Sequence, residues 1–230
     1  MYRERSVAEQ NSVDVAWGML MSERFADLRD CIYSSTEELY RFRQLLVNAT
    51  MATDIADKEF QRIRKNRWKD AFVDDASSDV ELDINPTPQD PKLEVHRKAT
   101  IVLEHIIQAS DVAHTMQHWH VYLKYNKRLF EERYLAWLQG VAGENDPSFG
   151  WYKGEIGFFE FYIIPLARKL DRCGVFGVSY HEYLQYAISN KAEWQDKGEA
   201  IVQEMLSECR AKYGDGKGKR NKQTCAAVEF

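Results

Sequence analysis

The sequence predicts an all-α fold, and three observations support this. Apolar residues recur at the three- and four-residue spacing of a helix face, whereas no run alternates convincingly as a half-buried strand would. Ser or Thr precedes several of these runs, and acids follow in the first turn, as is typical of helix starts. The 230 residues, of which 44% are hydrophobic and 29% charged, are sufficient to bury a core.

The first half of the chain contains two helical stretches and a loop. The first helix is predicted at the segment SVAE, where Ser6 and Glu9 have the spacing of a capping box. A long helical pattern follows over residues 34–72, with a Ser/Thr cap at its start and a break near Thr53. Residues 73–92 contain three prolines and a cluster of acids, which predict a solvated loop.

The second half is helical nearly to its end. Helices are predicted at about residues 93–113, 116–140 and 154–172, and from a second capping box at residues 179–182. Residues 1–211 are interpreted as one helical domain. The Gly- and Lys-rich residues 212–230 are interpreted as a disordered tail.

Composition excludes several classes of protein. The net charge of −5 and the pI of about 5.7 argue against a broad nucleic-acid surface. No stretch approaches the ~18 consecutive apolar residues of a membrane span, and no secretory signal pattern occurs. The four scattered cysteines form no CxxC pair, which indicates reduced thiols. We therefore expect a cytoplasmic chain, or one on the cytosolic face of a membrane protein.

The segment ASDVAHTMQHWH combines one acid with three histidines. His114 and His118 stand four residues apart, a spacing that would let them share a helix face and a metal ion. Such pairs also arise by chance, and we interpret His118 and His120 as ordinary surface or packing residues. Asp111 ends an apolar run that should be buried, so it needs a partner: a metal ion, an Arg or a helix N-terminus.

Two further features interrupt apolar helices, a polar pair at Thr53 and Asp54 and a glycine at Gly157. Thr53 and Asp54 both prefer caps to helix interiors, and a kink, a buried hydrogen bond or a shared polar site would each explain them. Gly157 would cost a helix ~1 kcal/mol relative to Ala, which hints at close approach by a ligand or a helix. Glu155 and Phe158 beside it would then form a pocket wall.

A resemblance to a known family rests on five segments, YRERSVAEQNSVDVAWGML, MATDIADK, ASDVAH, YLKYNKRLFEERY and GEIGFFEFYIIPL. Together they resemble the catalytic domain of the class I 3′,5′-cyclic-nucleotide phosphodiesterases. YRERSVAEQNSVDVAWGML is similar to the family's Y-x-x-x-S-V-x-E-N-H-H segment, MATDIADK to A-T-D-M-x-K-H, and ASDVAH to C-A-D-L-S-N. YLKYNKRLFEERY is similar to Y-x-x-W-x-x-R-I-x-E-E-F, and GEIGFFEFYIIPL to S-Q-V-G-F-I-D-Y-I-V-x-P-L. The segments follow the family's order from residue 2 to about residue 170.

The resemblance implies an all-helical domain with two divalent metal ions, zinc and magnesium or manganese. A metal-bridging hydroxide would attack the cyclic phosphate and give the 5′-monophosphate. The resemblance assigns Asp111 as a ligand of the tighter metal and gives Thr53, Glu9 and Asp54 outer-shell roles. The implied substrate-binding residues are Phe158 and Leu129 on the two faces of the base, Glu155 at its edge, and His114 at the pocket wall.

The family's H-N-x-x-H-A and H-D-x-x-H motifs do not occur in this sequence. They carry the other metal ligands and the acid that protonates the leaving oxygen. We therefore expect the C-terminal part of a phosphodiesterase domain, inactive alone, whose parent hydrolyses cAMP, cGMP or both in signal transduction. Its possible partners are a missing N-terminal half or a second copy. The alternatives are a non-catalytic regulatory or interaction module, and an unrelated helical protein with its own His-x₃-His site.

Glu155 occupies the position of a family glutamine. An amide can present either donor–acceptor order, whereas an ionised carboxylate only accepts hydrogen bonds. Guanine offers two adjacent donors on its Watson–Crick edge, but N1 of adenine is an acceptor. The sequence therefore predicts a preference for cGMP over cAMP in the intact enzyme.

Overall fold

The structure is a computed structural model that describes residues 5–72, 91–141, 145–174, 177 and 180–215. The chain divides into two compact units, Met1–Asp111 (unit 1) and Val112–Phe230 (unit 2). The described residues form helices and turns without any strand, which confirms the predicted all-α class. Within those residues, no helix has the length and apolar character needed to span a bilayer.

The described part of unit 1 contains five α-helices. Their bounds are α1 Val7–Leu20, α2 Ala26–Ile32, α3 Thr36–Ala52, α4 Lys58–Phe72 and α5 Pro91–Asp111. Within this unit α3 packs against α1 and α5, and α4 packs against α5. Trp68 and Ile101 are the largest apolar side chains that these helices bury.

The two predicted helix starts in unit 1 differ in outcome. The cap of α3 is confirmed, because the Ser35 hydroxyl accepts from the Glu38 N–H at 3.2 Å and the Glu38 carboxylate accepts from the Ser34 N–H at 2.7 Å. The capping box at Ser6 is wrong. Ser6 has φ 44° instead of the extended backbone of a cap residue, and its hydroxyl is directed at the Asp54 carboxylate, to which it donates at 2.6 Å.

The predicted break near Thr53 is confirmed, because α3 ends at Ala52 and α4 begins at Lys58. The Asp57 carboxylate caps α4 by accepting from two of its first backbone N–H groups. The predicted loop at 73–92 is too long by two residues, since Pro91 already occupies the first position of α5, where its missing N–H costs nothing. Residues 73–90 lie outside the described part.

The described part of unit 2 contains four α-helices, three of which pack against the fourth and longest. Their bounds are α6 Trp119–Leu138, α7 Trp151–Phe158, α8 Ile164–Cys173 and α9 Tyr180–Tyr213, with a 3₁₀ turn at Ala113–Met116 before α6. α9 packs along α6, α7 and α8. The core of the unit includes the fully buried side chains of Tyr122, Phe130, Phe159 and Trp194.

The two ends of α9 concern the second predicted capping box and the predicted end of the helical domain. Ser179 of the second predicted capping box lies outside the described residues. α9 continues to Tyr213, two residues past the predicted bound of the helical domain, and residues 216–230 of the predicted tail are not described. The rest of the domain division stays a prediction.

The predicted helix at 154–172 is part of a longer helical path from Trp151 to Cys173, which contains a π-helical segment at Phe159–Ile163. Pro165 explains this segment. Proline has no N–H to donate, and in a regular α-helix its ring would clash with the carbonyl four residues earlier. One extra residue in the turn relieves the clash, and the Ile164 N–H donates to the Phe159 carbonyl, five residues back.

Candidate functional site

In unit 1, the polar residues at the end of α3 are held by local hydrogen bonds. The Thr53 hydroxyl donates to the Thr50 carbonyl at 2.8 Å. The Asp54 carboxylate accepts from Ser6 and from the backbone N–H groups of Ala56 and Asp57. These bonds, led by that from Ser6, lower the pKa of Asp54. The carboxylate is therefore ionised and already has three donors from the chain itself.

The backbone carbonyls at this junction also have side-chain partners. Arg64, which is 8% exposed, donates to the carbonyls of Met51 at 3.3 Å and Asp54 at 3.1 Å. Gln108 of α5 donates to the Ala52 carbonyl at 3.0 Å. A helix end leaves its last carbonyls without partners inside the helix, and here two neighbouring helices supply them. Of the explanations open for the polar break, a buried hydrogen-bond network is the one that the contacts favour.

The buried acid of α5 is Glu104, not Asp111. Glu104 is 2% exposed, and its carboxylate accepts from Arg67 at 2.8 and 3.0 Å. Burial raises the pKa of Glu104, and the Arg67 guanidinium opposes that rise. Asp111 is exposed, so the expectation of a buried acid there is wrong: it is the last residue of α5, and no further turn covers it.

Glu9 and Thr53 are both half-buried. Glu9 lies in the first turn of α1, three residues after the Ser6 that contacts Asp54. The structure therefore brings the start of α1 to the α3–α4 junction. Their proposed outer-shell roles stay predictions.

No metal centre is complete in the described part of the chain. Among those residues, no group of three or more His, Cys, Asp and Glu side chains comes together as a metal site. The His-x₃-His pair does not share a helix face, since His114 lies in the 3₁₀ turn and His118 precedes α6. His118 instead contacts Tyr186 of α9, with its Nε2 atom 3.1 Å from the hydroxyl, and its ring stacks on His120.

In unit 2, Glu155 of α7 ends a directional chain of hydrogen bonds. The Trp151 indole N–H donates to the Asn126 carbonyl oxygen at 3.2 Å, and the Asn126 amide donates to the Tyr122 hydroxyl at 3.3 Å. The Tyr122 hydroxyl then donates to the Glu155 carboxylate at 2.8 Å. Each hydrogen bond in this series fixes the direction of the next, so the Tyr122 hydroxyl donates its proton and the Glu155 carboxylate accepts it.

Two opposing effects act on the protonation of Glu155. Burial raises its pKa, because the ionised form loses water. The hydrogen bonds from Tyr122 and Asn126 stabilise the ionised form and lower the pKa, but the net direction is upward. Burial and the neighbouring carboxylate raise the pKa of Tyr122 far above its ordinary value, so that Tyr122 stays a donor.

The other predicted substrate-binding residues also belong to unit 2. The Phe158 ring stacks on Tyr162, with ring centroids 5.4 Å apart and an interplanar angle of 14°. Leu129 of α6 is 43% exposed. His114 lies 5.2 Å from the Tyr125 ring, and burial lowers the pKa of its imidazole. Phe158, Leu129 and His114 therefore keep surface for other contacts, and their roles stay predictions.

Sequence reasoning missed the side chains that hold Glu155. Tyr122 and Asn126 stand four apart on α6, a spacing that signals one helix face. Trp151 and Glu155 also stand four apart on α7. Each spacing was visible in the sequence, but the sequence alone does not show that the two faces meet.

Comparison with known proteins points to one family. The family model described as 3′5′-cyclic nucleotide phosphodiesterase matches residues 1–174. No curated protein matches the chain.

Two solved structures have similar folds. One is the phosphodiesterase domain of the RhoPDE fusion protein from the choanoflagellate Salpingoeca rosetta, with a TM-score of 0.57 and 17% identity, covering 85% of this chain and 57% of that one. The other is the phosphodiesterase domain of Salpingoeca rosetta rhodopsin phosphodiesterase, with a TM-score of 0.57 and 16% identity, covering 86% of this chain and 56% of that one. The chain thus spans just over half the length of these domains.

Proposed function

This chain belongs to the 3′5′-cyclic nucleotide phosphodiesterase family, and we propose that it is the C-terminal part of a domain that hydrolyses cAMP, cGMP or both to the 5′-monophosphate. The match of the family model to residues 1–174 carries the proposal. In this proposal unit 2 binds the base of the nucleotide, and unit 1 contributes one side of the metal-binding region. The biological role is the termination of cyclic-nucleotide signals.

The base site consists of Phe158, Leu129 and His114 around the acceptor Glu155. The stack of Phe158 on Tyr162 supports this role, because a ring held in one plane can pack against a purine without losing much freedom. The hydrogen-bond chain from Trp151 supports it as well, because it fixes the side chain that would read the edge of the base.

The described residues do not by themselves fit a divalent metal ion. Zinc usually takes about four protein or water ligands, and the described part of the chain gathers no group of three donors. We propose that Asp111 is one carboxylate ligand of a site completed by residues of the N-terminal part of the domain, with Thr53, Glu9 and Asp54 in its outer shell. The position of Asp111 supports this. A carboxylate at a helix C-terminus is disfavoured by the helix dipole, and a bound cation would offset that cost.

When bound, zinc and magnesium or manganese would lower the pKa of a water molecule and stabilise charge on the phosphate. This chain's own residues bind and orient the nucleotide. The base would lie against Phe158, and Glu155 would accept hydrogen bonds from its edge. Guanine supplies two adjacent donors to such an acceptor, whereas N1 of adenine would oppose it. We therefore propose that the complete enzyme prefers cGMP.

A second candidate function is a non-catalytic module that binds another helical protein. The exposed apolar side chains of unit 1 favour it, since Val15 and Met19 of α1 and Leu103 of α5 are each about half exposed. Both candidates predict that a partner covers these side chains, but only the first predicts nucleotide binding in unit 2.

Nucleotide binding by the isolated chain separates the two candidates. We expect calorimetric titration to detect cGMP binding that Phe158→Ala weakens at least about tenfold, because a base–aromatic stack contributes roughly 1–3 kcal/mol. Phe161→Ala is the matched control, since Phe161 is 80% exposed on the same helical path and has no proposed contact. Absence of binding, or equal loss in both variants, would reject the base site and favour the module.

A further inference from the structure

The exposed face of α4 carries a stripe of positive charge in a chain that is negative overall. Lys58, Arg62, Lys65 and Lys69 follow one another at intervals of four, three and four residues, so that they lie on one face of the helix. All four are exposed. The chain as a whole has a net charge of −5, so this stripe is a local reversal of its electrostatic character.

The stripe is not neutralised by the rest of the described chain. Among the described residues, none of these four cations forms an ion pair. The two acids of α4 lie to the side of the stripe: Glu59 pairs with Arg5, and Asp70 follows Lys69 by one residue. Basic residues of α4 that point inward have partners, as Arg64 and Arg67 do. The stripe is therefore the part of α4 whose charge is available to a partner.

Apolar side chains border the stripe at its C-terminal end. Phe72 follows Lys65 by seven residues and Lys69 by three, so it shares their face, and it is 37% exposed. The Lys98 ammonium of α5 lies 6.0 Å from the centre of the Phe72 ring. Val95 stands three residues before Lys98 on the same face of α5 and is 64% exposed. The surface thus combines the four cations of the stripe with exposed apolar side chains.

We propose that this surface binds an anionic lipid bilayer peripherally. A row of Lys and Arg beside exposed apolar residues is the pattern that the headgroup region of such a bilayer accommodates, since the cations meet lipid phosphates and carboxylates and the apolar groups enter the acyl boundary. Nucleic acid fits less well, because Phe72, the aromatic residue beside the stripe, already packs against Trp68 in a tilted arrangement, with ring centroids 4.5 Å apart, and has the Lys98 ammonium near its ring. This inference is independent of the proposed enzymatic function.

The test is co-sedimentation of the full chain with vesicles of phosphatidylcholine, with and without about 30% phosphatidylserine. We expect binding only to the anionic vesicles, and loss of that binding in about 1 M salt, where the Debye length falls to ~3 Å. Lys65→Glu with Lys69→Glu should reduce the partition coefficient at least about tenfold, since each cation near such a surface contributes several-fold.

The matched control is Lys124→Glu with Arg172→Glu. It makes the same change of net charge at exposed positions on α6 and α8, and binding should be nearly unchanged. Circular dichroism establishes that each variant folds. Equal loss in the control variant, equal binding to neutral vesicles, or no vesicle binding would overturn the proposal. Equally tight, stripe-dependent binding to a single-stranded oligonucleotide would also overturn it, in favour of a nucleic-acid surface.

Discussion

The two units bury their side chains very differently, although both are built from amphipathic helices. Among the residues that the structure describes, nine of the eleven largest fully buried side chains belong to unit 2, and the other two, Ile101 and His105, belong to unit 1. Of the nineteen large hydrophobic side chains that are exposed in this described part, twelve belong to unit 1. Unit 2 has a core organised around α9, whereas α1 and α5 of unit 1 present apolar side chains to solvent.

The contrast extends to the polar residues. In unit 2, a hydrogen-bond chain fixes Glu155, as expected of a preformed binding site. In unit 1, hydrogen bonds and an ion pair organise the interior, but Asp111 stands exposed at its end. Among the described residues, unit 2 therefore has the more complete core, whereas the metal ligand proposed at Asp111 would need further ligands beyond those that unit 1 shows.

The largest expected effect concerns Asp111. In the longest polypeptide that the gene encodes, Asp111→Asn should reduce kcat/KM for cyclic nucleotides more than about 100-fold, because loss of outer-shell groups alone costs 10–100-fold at metal sites. Metal analysis should show reduced occupancy. Asp196→Asn, at an exposed position on α9, should leave both unchanged. Full activity of Asp111→Asn would reject the proposed role of Asp111 as a metal ligand.

The next effect concerns the buried ion pair of unit 1. Arg67→Met should destabilise the chain by about 2 kcal/mol, less than the ~3–5 kcal/mol typical of fully buried pairs, because the Arg67 side chain is 34% exposed. Urea unfolding measures the change, and hydrogen exchange should localise it to α4 and α5. Arg62→Met at an exposed position is the control. An effect confined to unit 2 would contradict the division into units.

This variant should also change the pH dependence of unfolding. Burial raises the pKa of Glu104, so the folded chain holds a proton that the unfolded chain releases, and stability falls as the pH rises from about 4.5 through the raised value. Without the Arg67 guanidinium the pKa of Glu104 should rise further. The decline should therefore be steeper and extend to higher pH in Arg67→Met than in the original chain.

A smaller effect tests the packing of unit 2. A Cβ atom at Gly198 of α9 would lie 2.9 Å from the rings of Trp194 and Tyr152, so Gly198→Ala should destabilise the chain by about 1.5 kcal/mol. Gly154→Ala on α7 is the control. Nothing lies within 4 Å of its added Cβ, and it should stabilise by about 0.5–1 kcal/mol. Thermal melts compare the two, and tolerance of Gly198→Ala would mean that α9 packs less tightly than described.

The smallest effect is a shift of selectivity with pH. The raised pKa of Glu155 means that its carboxyl gains a proton as the pH falls, and the protonated form can donate to N1 of adenine. The ratio of kcat/KM for cGMP to that for cAMP should therefore fall severalfold toward acid pH. Glu155→Gln should remove this dependence, whereas Glu160→Gln, at an exposed residue paired with Lys191, should retain it. A cAMP preference at alkaline pH would reject the role of Glu155.

Local sequence patterns predicted the secondary structure well, but they predicted the tertiary contacts poorly. The cap at Ser35 and the break after Ala52 depend on residues within one or two turns, and the sequence displays them. The capping box at Ser6 failed because Ser6 has φ 44° and its hydroxyl is directed at Asp54, 48 residues away, a contact that the local pattern does not show. Asp111 was expected to be buried because the run before it is apolar, but only tertiary packing decides which turn of α5 is covered.

Hydrolysis by the isolated chain, compared with the longest polypeptide that its gene encodes, tests the central claim most directly. We predict that the longer polypeptide hydrolyses cyclic nucleotides when supplied with zinc and magnesium, and that the isolated chain under the same conditions does not. Hydrolysis by the isolated chain would contradict the claim that the metal site needs further ligands beyond those that unit 1 shows. Absence of hydrolysis by both would contradict the proposed function.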